Sequence, residues 1–179
     1  ATKELQQFSS PGKDKPRKVE AHRKDPRLTK GPIIVSIDTS GSMLGQPQRI
    51  AFSLLKQLLR MAKKQKRPCY LISFSVRSKS IDLAKPRNWR MIDNFLEHSY
   101  SGGTDGEQML AEAIRVLQKG TYEMADVLIV SDFEFPVPNP STIEKIDKEK
   151  ALGTRFYGLK IGHYGVKGYR HIMDKIWEV

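Results

Sequence analysis

A strand-like apolar run that stops at an acid and continues into hydroxyl residues constrains this chain more than any other stretch. Residues 33–37 are mostly Ile and Val, the composition of a strand buried in a sheet. The run stops at Asp38, and a short segment rich in Ser, Thr and Gly follows. This order predicts a buried strand over residues 33–38 that ends in a tight polar loop.

The residues of that loop alternate in a way that favours a metal site. Asp38, Ser40 and Ser42 are separated by Thr39 and Gly41. Because successive side chains of an extended segment point to opposite sides, a nearly extended loop would direct all three polar side chains towards one point. Carboxylate and hydroxyl oxygens, without sulfur or imidazole, suit a hard divalent cation such as Mg²⁺. The segment therefore predicts half of a metal site, which needs further ligands from elsewhere.

The rest of the chain alternates strand-like and helical patterns. Further strands are predicted over residues 69–74, 78–83, 125–131, 155–161 and 175–179. Helices are predicted over residues 47–64, 88–98, 106–119, 143–152 and 168–174. Strands that alternate with helices of about ten or more residues are typical of βαβ units, so we expect an α/β fold with a mostly parallel sheet. The strand at 78–83 is polar and is expected at an edge, and Ser141 is predicted to cap the helix at 143–152.

Two later motifs supply the missing ligands. The run at 127–130 is apolar, and Asp132 follows it as Asp38 follows the first strand, while Thr104 lies in a glycine-rich loop at 99–105. In open α/β sheets, ligands bind beyond the carboxyl ends of the strands, where the strand order reverses. The predicted ligands are Asp38, Ser40, Ser42, Thr104 and Asp132. Their two formal negative charges would hold Mg²⁺, or Mn²⁺, and leave it electrophilic towards a further carboxylate.

At these residues the chain resembles the von Willebrand factor A (VWA) domain with its metal-ion-dependent adhesion site. The family pattern is D-x-S-x-S after the first strand, a Thr in a later loop and an Asp after the fourth strand. The resemblance implies that Ser40, Ser42 and Thr104 are hydroxyl ligands. It also implies that Asp38 and Asp132 bind the metal directly or through water, and that a partner's Glu or Asp completes the octahedron.

The resemblance covers about residues 31–179 and implies a doubly wound, mostly parallel, Rossmann-like sheet with helices on both faces and a short antiparallel edge strand. A narrower resemblance to bacterial ViaA/CoxE-type proteins rests on Gly31-Pro32-Ile33, Gly102-Gly103-Thr104-Asp105, Ser131-Asp132-Phe133 and Ile176-Trp177. It implies the C-terminal VWA domain of a cytoplasmic protein that works with a MoxR-type AAA+ ATPase. Glu134 is an additional acid that the general pattern does not require.

Charge divides the chain into a leader and a domain. Residues 1–30 carry nine Lys or Arg and four Asp or Glu, within a formal net charge of +11 for the chain. This proline-containing, apolar-poor segment is predicted to be a largely unstructured linker, with the VWA domain over 31–179. The basic residues leave open an alternative function, the binding of nucleic acid or of an anionic membrane surface, with nucleic acid the less favoured.

The single cysteine and the short length of the apolar runs indicate where in the cell the protein is located. Cys69 lies in an apolar strand pattern, so it is interpreted as a small buried hydrophobe, and one cysteine permits no intrachain disulfide. No apolar run reaches the length that spans a bilayer. We expect a cytoplasmic protein, with peripheral attachment at the membrane as a further option.

Enzyme classes fit the motifs less well. Ser40 interrupts the Asp-Thr-Gly of aspartic proteases, and the chain contains neither G-x-S-x-G nor a Walker A lysine motif. The histidines are scattered: His22, His98, His163 and His171. A metal-dependent phosphohydrolase stays open, but no obvious nucleophile or base accompanies the site. These residues therefore favour a non-enzymatic, Mg²⁺-dependent module. The resemblance implies that this module binds an acidic side chain of a protein partner, a MoxR-type AAA+ ATPase or its client.

Overall fold

The computed structural model describes residues 30–97, 102–163, 165–166 and 168–179. The strands are β1 (Ile33–Asp38), β2 (Cys69–Phe74), β3 (Ser78–Asp82), β4 (Asp126–Ser131), β5 (Arg155–Lys160) and β6 (Lys175–Glu178). The α-helices are α1 (Gln46–Lys64), α2 (Ile92–Glu97), α3 (Gly106–Leu117) and α4 (Pro140–Ala151). The predicted leader at 1–30 falls almost wholly outside the described residues and stays a prediction.

The six strands form one sheet in the order β3-β2-β1-β4-β5-β6. Only β3 runs antiparallel to its neighbour, and it lies at an edge as predicted. The chain moves outwards from β1 to β3 and then returns to β4 on the other side of β1, so the strand order reverses at β1. A ligand site in such a sheet lies beyond the carboxyl end of β1, next to β4. The α/β, mostly parallel, doubly wound architecture is confirmed.

Two apolar cores lie on opposite faces of the sheet. The core on one face is formed with α3 and α4, and large buried side chains such as Tyr122, Phe156 and Tyr169 fill it. The other core is formed with α1 and α2, against residues such as Val35 and Leu71. Helices on both faces explain why β1 and β2 are buried at every position.

Helix α1 agrees with its predicted extent. Its buried residues Ala51, Leu55, Leu59 and Ala62 recur at spacings of three and four, which places them on one side of a helix. Burial of a Leu side chain contributes about 1.5–3 kcal/mol, so this stripe fixes α1 on the sheet. The preceding residue Gly45 has φ of +87°, a conformation that favours glycine.

The predicted helix at 88–98 is wrong in its first half. A 3-10 helix spans Pro86–Met91, and only α2 is α-helical. The Trp89 indole N–H donates to the Leu83 carbonyl at 2.8 Å, and the Asn88 amide donates to the Asp82 carbonyl at 2.8 Å. These bonds tie the segment to the end of β3 and favour a tight turn over a continuous helix.

The predicted helix at 168–174 is also wrong, because turns occupy this segment. The buried residues Val166, Tyr169 and Ile172 are three positions apart, a spacing that imitates a helical stripe. The backbone bonds instead run from Tyr169 N–H to the Val166 carbonyl and from Ile172 N–H to the Tyr169 carbonyl. Asp174 then pairs with Phe156 of β5 through its backbone N–H and its carboxylate.

The start of α4 differs from the prediction as well. The helix begins at Pro140 with Asn139 as its N-cap residue, not with Ser141. Glu107 of α3 supplies the cap: its carboxylate accepts from the Asn139 backbone N–H and, at 2.7 Å, from the Thr142 hydroxyl. A carboxylate from another helix therefore satisfies donors that the local sequence leaves unpaired.

Burial on the two faces of the sheet is uneven. The continuous apolar run at 127–130 is typical of a strand buried on both faces, but Leu128 of β4 is partly exposed. Tyr157 and Leu159 of β5 are partly exposed on the same face, whereas Phe156 is fully buried on the other. In the described ranges, no α-helix other than α1 and α2 packs on the face that carries these residues.

Two smaller expectations concern membranes and the cysteine. Within the described part of the chain, no helix combines the length and apolar character that a membrane crossing requires. Cys69 is a free thiol without exposed surface, and burial raises its pKa to about 12. The interpretation of Cys69 as a buried hydrophobe is confirmed.

Candidate metal centre

The first site loop leaves the carboxyl end of β1 in a compact turn. Asp38 and Ser40 are buried and Ser42 is exposed. The Ser40 backbone N–H donates to Asp38 Oδ1 at 2.8 Å, and the Ser40 and Ser42 hydroxyls lie 3.0 Å apart. The expected extended loop is wrong from Gly41 onwards, because Gly41–Met43 is a 3-10 turn. The turn nevertheless keeps the two hydroxyls adjacent, as a shared ligand would require.

Thr39 faces away from those hydroxyls and anchors the loop. Its backbone N–H donates to the Phe74 carbonyl at 2.8 Å, which extends the pairing of β1 with β2. Its hydroxyl contacts the Ser73 hydroxyl at 3.0 Å and donates to the Phe74 carbonyl at 3.1 Å. The position of Asp38 and Ser40 is therefore fixed from the β2 side of the sheet.

The second site loop follows β4, and Ser131 links it to the first. The Ser131 hydroxyl donates to Asp38 Oδ2 at 2.5 Å and accepts from the Phe133 backbone N–H at 2.9 Å. Asp132 is buried, and its Oδ1 accepts from the Glu134 backbone N–H at 3.0 Å. Sequence reasoning missed Ser131, whose only signal is its place beside Asp38 at the ends of two neighbouring strands.

An aromatic cluster lies beside the second loop. Phe133 has φ of +60°, which is uncommon for a residue with a side chain. Its ring is buried and stacks with the ring of Phe135, with 5.9 Å between the ring centroids. The centroid of the Tyr169 ring lies 5.7 Å from that of Phe133 and 4.8 Å from that of Phe135. Packing of these rings stabilises the turn that sets the position of Asp132. The side chain of Glu134 is exposed.

The third site loop lies against the first. The Gly41 backbone N–H donates to the Gly102 carbonyl at 3.2 Å, and the Asp105 N–H donates to the Ser75 carbonyl at 2.8 Å. Thr104 is half-buried between these contacts. The Asp105 carboxylate accepts from the Gln108 N–H at 3.1 Å and so caps α3. The predicted loop residues 99–101 lie outside the described residues.

The two site carboxyls form a buried acidic pair. Burial raises the pKa of Asp38, and the nearby Asp132 raises it further, while hydrogen bonds from Ser131 and Ser40 act in the opposite direction. Neither aspartate forms a salt bridge within the described ranges. Buried charge of one sign is costly unless a counter-charge accompanies it, so this pair favours a cation.

The donor chemistry fits a hard cation. Contacts within the loops bring Asp38, Ser40, Ser42 and Asp132 together, and Thr104 lies in the loop packed against Gly41. The described residues contain no group of three or more His, Cys, Asp or Glu side chains that could hold a metal. A site of this kind therefore depends on the hydroxyl oxygens as well as the two carboxylates, which suits Mg²⁺ or Mn²⁺.

No protein-family model matches the chain. Curated proteins named regulatory protein ViaA do: the chain is 31% identical over 159 residues to the protein of Edwardsiella ictaluri (strain 93-146) and 31% identical over 157 residues to that of Proteus mirabilis (strain HI4320). Each match covers 87% of this chain and 32% of the relative. The chain thus spans about a third of the length of the curated relatives it matches.

Solved VWA structures share the fold. The SpRpn10 VWA domain aligns with a TM-score of 0.63 and 13% identity over 84% of this chain and 88% of that one. A von Willebrand factor type A protein from Catenulispora acidiphila aligns with a TM-score of 0.61 and 16% identity, over 84% and 39%. Proximal thread matrix protein 1 of the mussel byssus, with a zinc-occupied MIDAS motif, aligns with a TM-score of 0.63 and 15% identity. The alignment covers 84% of this chain and 44% of that one.

Proposed function

The chain is a VWA domain related to the regulatory protein ViaA, and from this premise we propose that it is a Mg²⁺-dependent protein-interaction module. Its metal would bind at a metal-ion-dependent adhesion site, and the partner would supply a Glu or Asp side chain. The proposal assigns the five predicted ligands to one site: Asp38, Ser40, Ser42, Thr104 and Asp132.

The observation that carries this proposal is the buried pair of Asp38 and Asp132. The Ser131 hydroxyl donates its proton to Asp38 at 2.5 Å, and the same oxygen lies 3.5 Å from Asp132 Oδ1. Two ionised carboxylates held this way repel each other. A bound cation would offset this repulsion and so allow both to be ionised at neutral pH. The adjacent hydroxyls of Ser40 and Ser42 add neutral oxygen donors without adding negative charge.

The five proposed ligands would have two different roles at the metal. The carboxylates of Asp38 and Asp132 neutralise the cation, while Ser40, Ser42 and Thr104 hold it with neutral oxygens. When bound, Mg²⁺ would supply an electrophilic centre with a coordination position for an oxygen of the partner's carboxylate. The two carboxylates of the chain already match the charge of Mg²⁺, so the partner's carboxylate would bind through the open coordination position and leave the site with a net negative charge.

The partner is inferred from the relatives. The name of the curated relatives, regulatory protein ViaA, supports a regulatory role that works through protein contacts. The ViaA/CoxE resemblance points to a MoxR-type AAA+ ATPase or its client, and to a cytoplasmic location. The neighbour with a zinc-occupied MIDAS motif offers a precedent for a divalent cation on this fold.

Binding to a MoxR-type AAA+ ATPase tests the proposal. We expect the chain to bind in Mg²⁺ and to release in EDTA, and Ser42→Ala to weaken binding by at least about tenfold. Ser42 is exposed, so its replacement leaves the core intact. Ser36→Ala is the matched control and is expected to bind normally, because it removes a buried hydroxyl of β1 that has no hydrogen-bond partner among the described residues.

The same assay separates the alternatives. Binding to nucleic acid or anionic vesicles that EDTA leaves unchanged, but that falls steeply from low to moderate salt, would contradict the proposal and favour the basic surface. Turnover of a generic phosphoester with Mg²⁺ that is lost in Asp38→Ala would instead indicate a phosphohydrolase.

A further inference from the structure

An apolar groove runs between α1 and the neighbouring strands, away from the candidate metal centre. Leu54, Leu58 and Met61 form its helix side, and Leu128 and Leu159 form its sheet side. The groove encloses about 440 Å³. Met61 is 40% exposed, although a large apolar side chain on a helix that packs against a sheet is ordinarily covered.

The groove is open because the sheet is covered unequally. On the face that carries α1, Tyr157 and Leu159 of β5 are partly exposed. Trp177 of β6 lies beside Leu159 in register, is 42% exposed and contacts the Tyr157 ring at 5.6 Å. Leu159 and Trp177 therefore continue the apolar surface from the groove to the edge of the sheet.

The surface also continues along α1. A second hollow, which shares Leu54 with the groove, is lined by Ile50 and the exposed Val179. From Ile50 to Met61 the helix advances by roughly 16 Å at 1.5 Å per residue. A partner helix of about 12–15 residues would match that length.

The border of the groove is positively charged. Helix α1 contains no Asp or Glu, and its basic residues are Arg49, Lys56, Arg60, Lys63 and Lys64. At 100° per residue, Arg49, Arg60 and Lys64 fall on the solvent side of the groove-lining residues. In the described ranges none of these three forms a salt bridge. The acid at the start of β4, Asp126, is already bound by Arg67 at 2.7 Å.

We propose that this groove binds an amphipathic helix of a partner protein, with an apolar stripe bordered by acidic residues. Helix-in-groove recognition uses apolar anchors at spacings of three and four, which the row along α1 would receive. Charge decides between the occupants. A second copy of this chain would place the Arg49, Arg60 and Lys64 border against like charge, and residues 1–30 carry a net positive charge. An acidic helix is complementary to the border.

The test uses the full 179-residue chain in EDTA, so that the metal centre takes no part. The probe is a synthetic, fluorescent amphipathic helix of about 15 residues with Leu at i, i+3, i+4 and i+7 and Glu on both sides of that stripe. A matched peptide carries Lys in place of Glu. Anisotropy is expected to show saturable binding of the acidic peptide and binding at least about tenfold weaker for the Lys peptide.

Variants of the chain test whether the acidic peptide binds in the groove. Met61→Glu, at an exposed position, is expected to weaken binding of the acidic peptide by about tenfold, because it places a carboxylate in the apolar groove. Leu152→Glu is the matched control: Leu152 is 67% exposed at the end of α4, and its replacement is expected to leave binding unchanged. Arg60→Glu/Lys64→Glu is expected to reverse the preference towards the Lys peptide. Circular dichroism checks that each variant is folded.

Several results would overturn the proposal. Absence of saturable binding, equal binding of the two peptides, or an unchanged affinity in Met61→Glu would each do so. A dimer in light scattering that Met61→Glu dissociates would assign the groove to a second copy. Acidic-peptide binding that appears only after removal of residues 1–29 would assign it to the leader.

Discussion

At the scale of single residues, Ser131 determines how the two acidic loops meet. Its hydroxyl donates to Asp38 and accepts from the Phe133 N–H, so one oxygen joins β1, β4 and the turn after β4. A hydrogen bond to a ligand-bearing carboxylate orients that carboxylate and supports metal affinity. Ser131 is thus a positioning residue for Asp38.

Replacement of Ser131 by Ala is expected to weaken Mg²⁺ binding by about 10- to 100-fold, because Asp38 loses the donor that orients it. The variant also leaves the Phe133 N–H without its partner, which lowers the free energy of unfolding by about 1–3 kcal/mol. Calorimetric titration and urea unfolding measure the two effects. Ser36→Ala is the control, and an equal loss of Mg²⁺ affinity in that variant would assign the effect to general destabilisation.

Replacement of Asp38 by Asn separates the cost of buried charge from the benefit of the metal. Burial and Asp132 raise the pKa of Asp38, so its ionised form is less favourable in the metal-free protein than it would be in water. In EDTA, Asp38→Asn is therefore expected to unfold at a temperature no lower than the wild type. Mg²⁺ at a hundred times its Kd should stabilise the wild type by about 2.7 kcal/mol and leave the variant unchanged. A lower Tm of the variant in EDTA would contradict this view.

At the scale of secondary structure elements, the first turn of α3 connects the third site loop to the rest of the molecule. Asp105 caps the helix, and Glu107 caps α4. Gly106 lies between them against Phe135 and Tyr169, and a Cβ there would lie 2.5 Å from the Tyr169 hydroxyl oxygen and 2.7 Å from the Phe135 ring. Only the absence of a side chain at Gly106 permits this close packing.

Gly106→Ala is expected to lower the free energy of unfolding by about 1–3 kcal/mol, because the added methyl group overlaps two aromatic side chains. It should also weaken Mg²⁺ binding, since Thr104 lies two residues before the displaced helix start. Gly103→Ala is the matched control in the same loop, because no atom of the described residues beyond its chain neighbours lies within 4 Å of the added Cβ. Urea unfolding that shows equal losses for the two variants would contradict the packing argument.

The link between α3 and the β2–β3 edge predicts a pH effect. Hydrogen bonds from Arg115 hold the pKa of Glu112 below its ordinary value of 4.5, and the Ser80 and Tyr70 hydroxyls add to this effect. A lowered folded-state pKa means that the unfolded chain binds the proton more readily. The contribution of Glu112 to stability is therefore fully present above the ordinary pKa and lost as pH falls through the lowered one.

Glu112→Gln is expected to reduce the free energy of unfolding at neutral pH, because it removes the carboxylate that accepts from Arg115 at 2.7 Å. The difference between wild type and variant should shrink as the pH is lowered towards about 3. Urea unfolding at a series of pH values measures it. A difference that grows with falling pH would show that the ion pair is not its source.

The elements that the sequence predicted well are those whose residues carry the signal themselves. Strands β1, β2 and β3 and helices α1 and α3 follow from their own apolar patterns and agree within a few residues. The helix predicted at 168–174 was wrong because Tyr169 and Ile172 are three residues apart in consecutive turns, a spacing that also occurs on one side of a helix. Ser141 was wrong as a cap because the capping carboxylate comes from Glu107 of another helix.

At the scale of the whole molecule, what the sequence does not contain is the order of the strands. Asp38 and Asp132 were predicted as ligands because each follows an apolar run, but the contact of Ser131 with Asp38 joins residues 93 positions apart. It exists because β1 pairs with β4. The exposed face of β5 is likewise a property of the assembled sheet: alternation along the strand does not tell which face the helices leave open.

At this scale the domain carries two separate candidate binding surfaces. The candidate metal centre lies at the carboxyl ends of β1 and β4, whereas the groove follows α1 along the open face of the sheet. Because they use different residues, loss of one surface is expected to leave the other intact. Met61→Glu should therefore retain Mg²⁺ binding, and Ser42→Ala should retain binding of the acidic peptide; a loss of both in either variant would contradict their independence.

The loop hydroxyls and the buried aspartates are proposed to form one divalent-cation site. Calorimetric titration of Mg²⁺ into the wild type, Ser36→Ala and Ser40→Ala/Ser42→Ala, with and without a MoxR-type AAA+ partner, tests it most directly. We predict saturable binding at one site in the first two proteins and its loss in the double variant, together with loss of partner affinity. A wild type that binds no Mg²⁺ even with the partner present, or a double variant that binds as the wild type does, would contradict the claim.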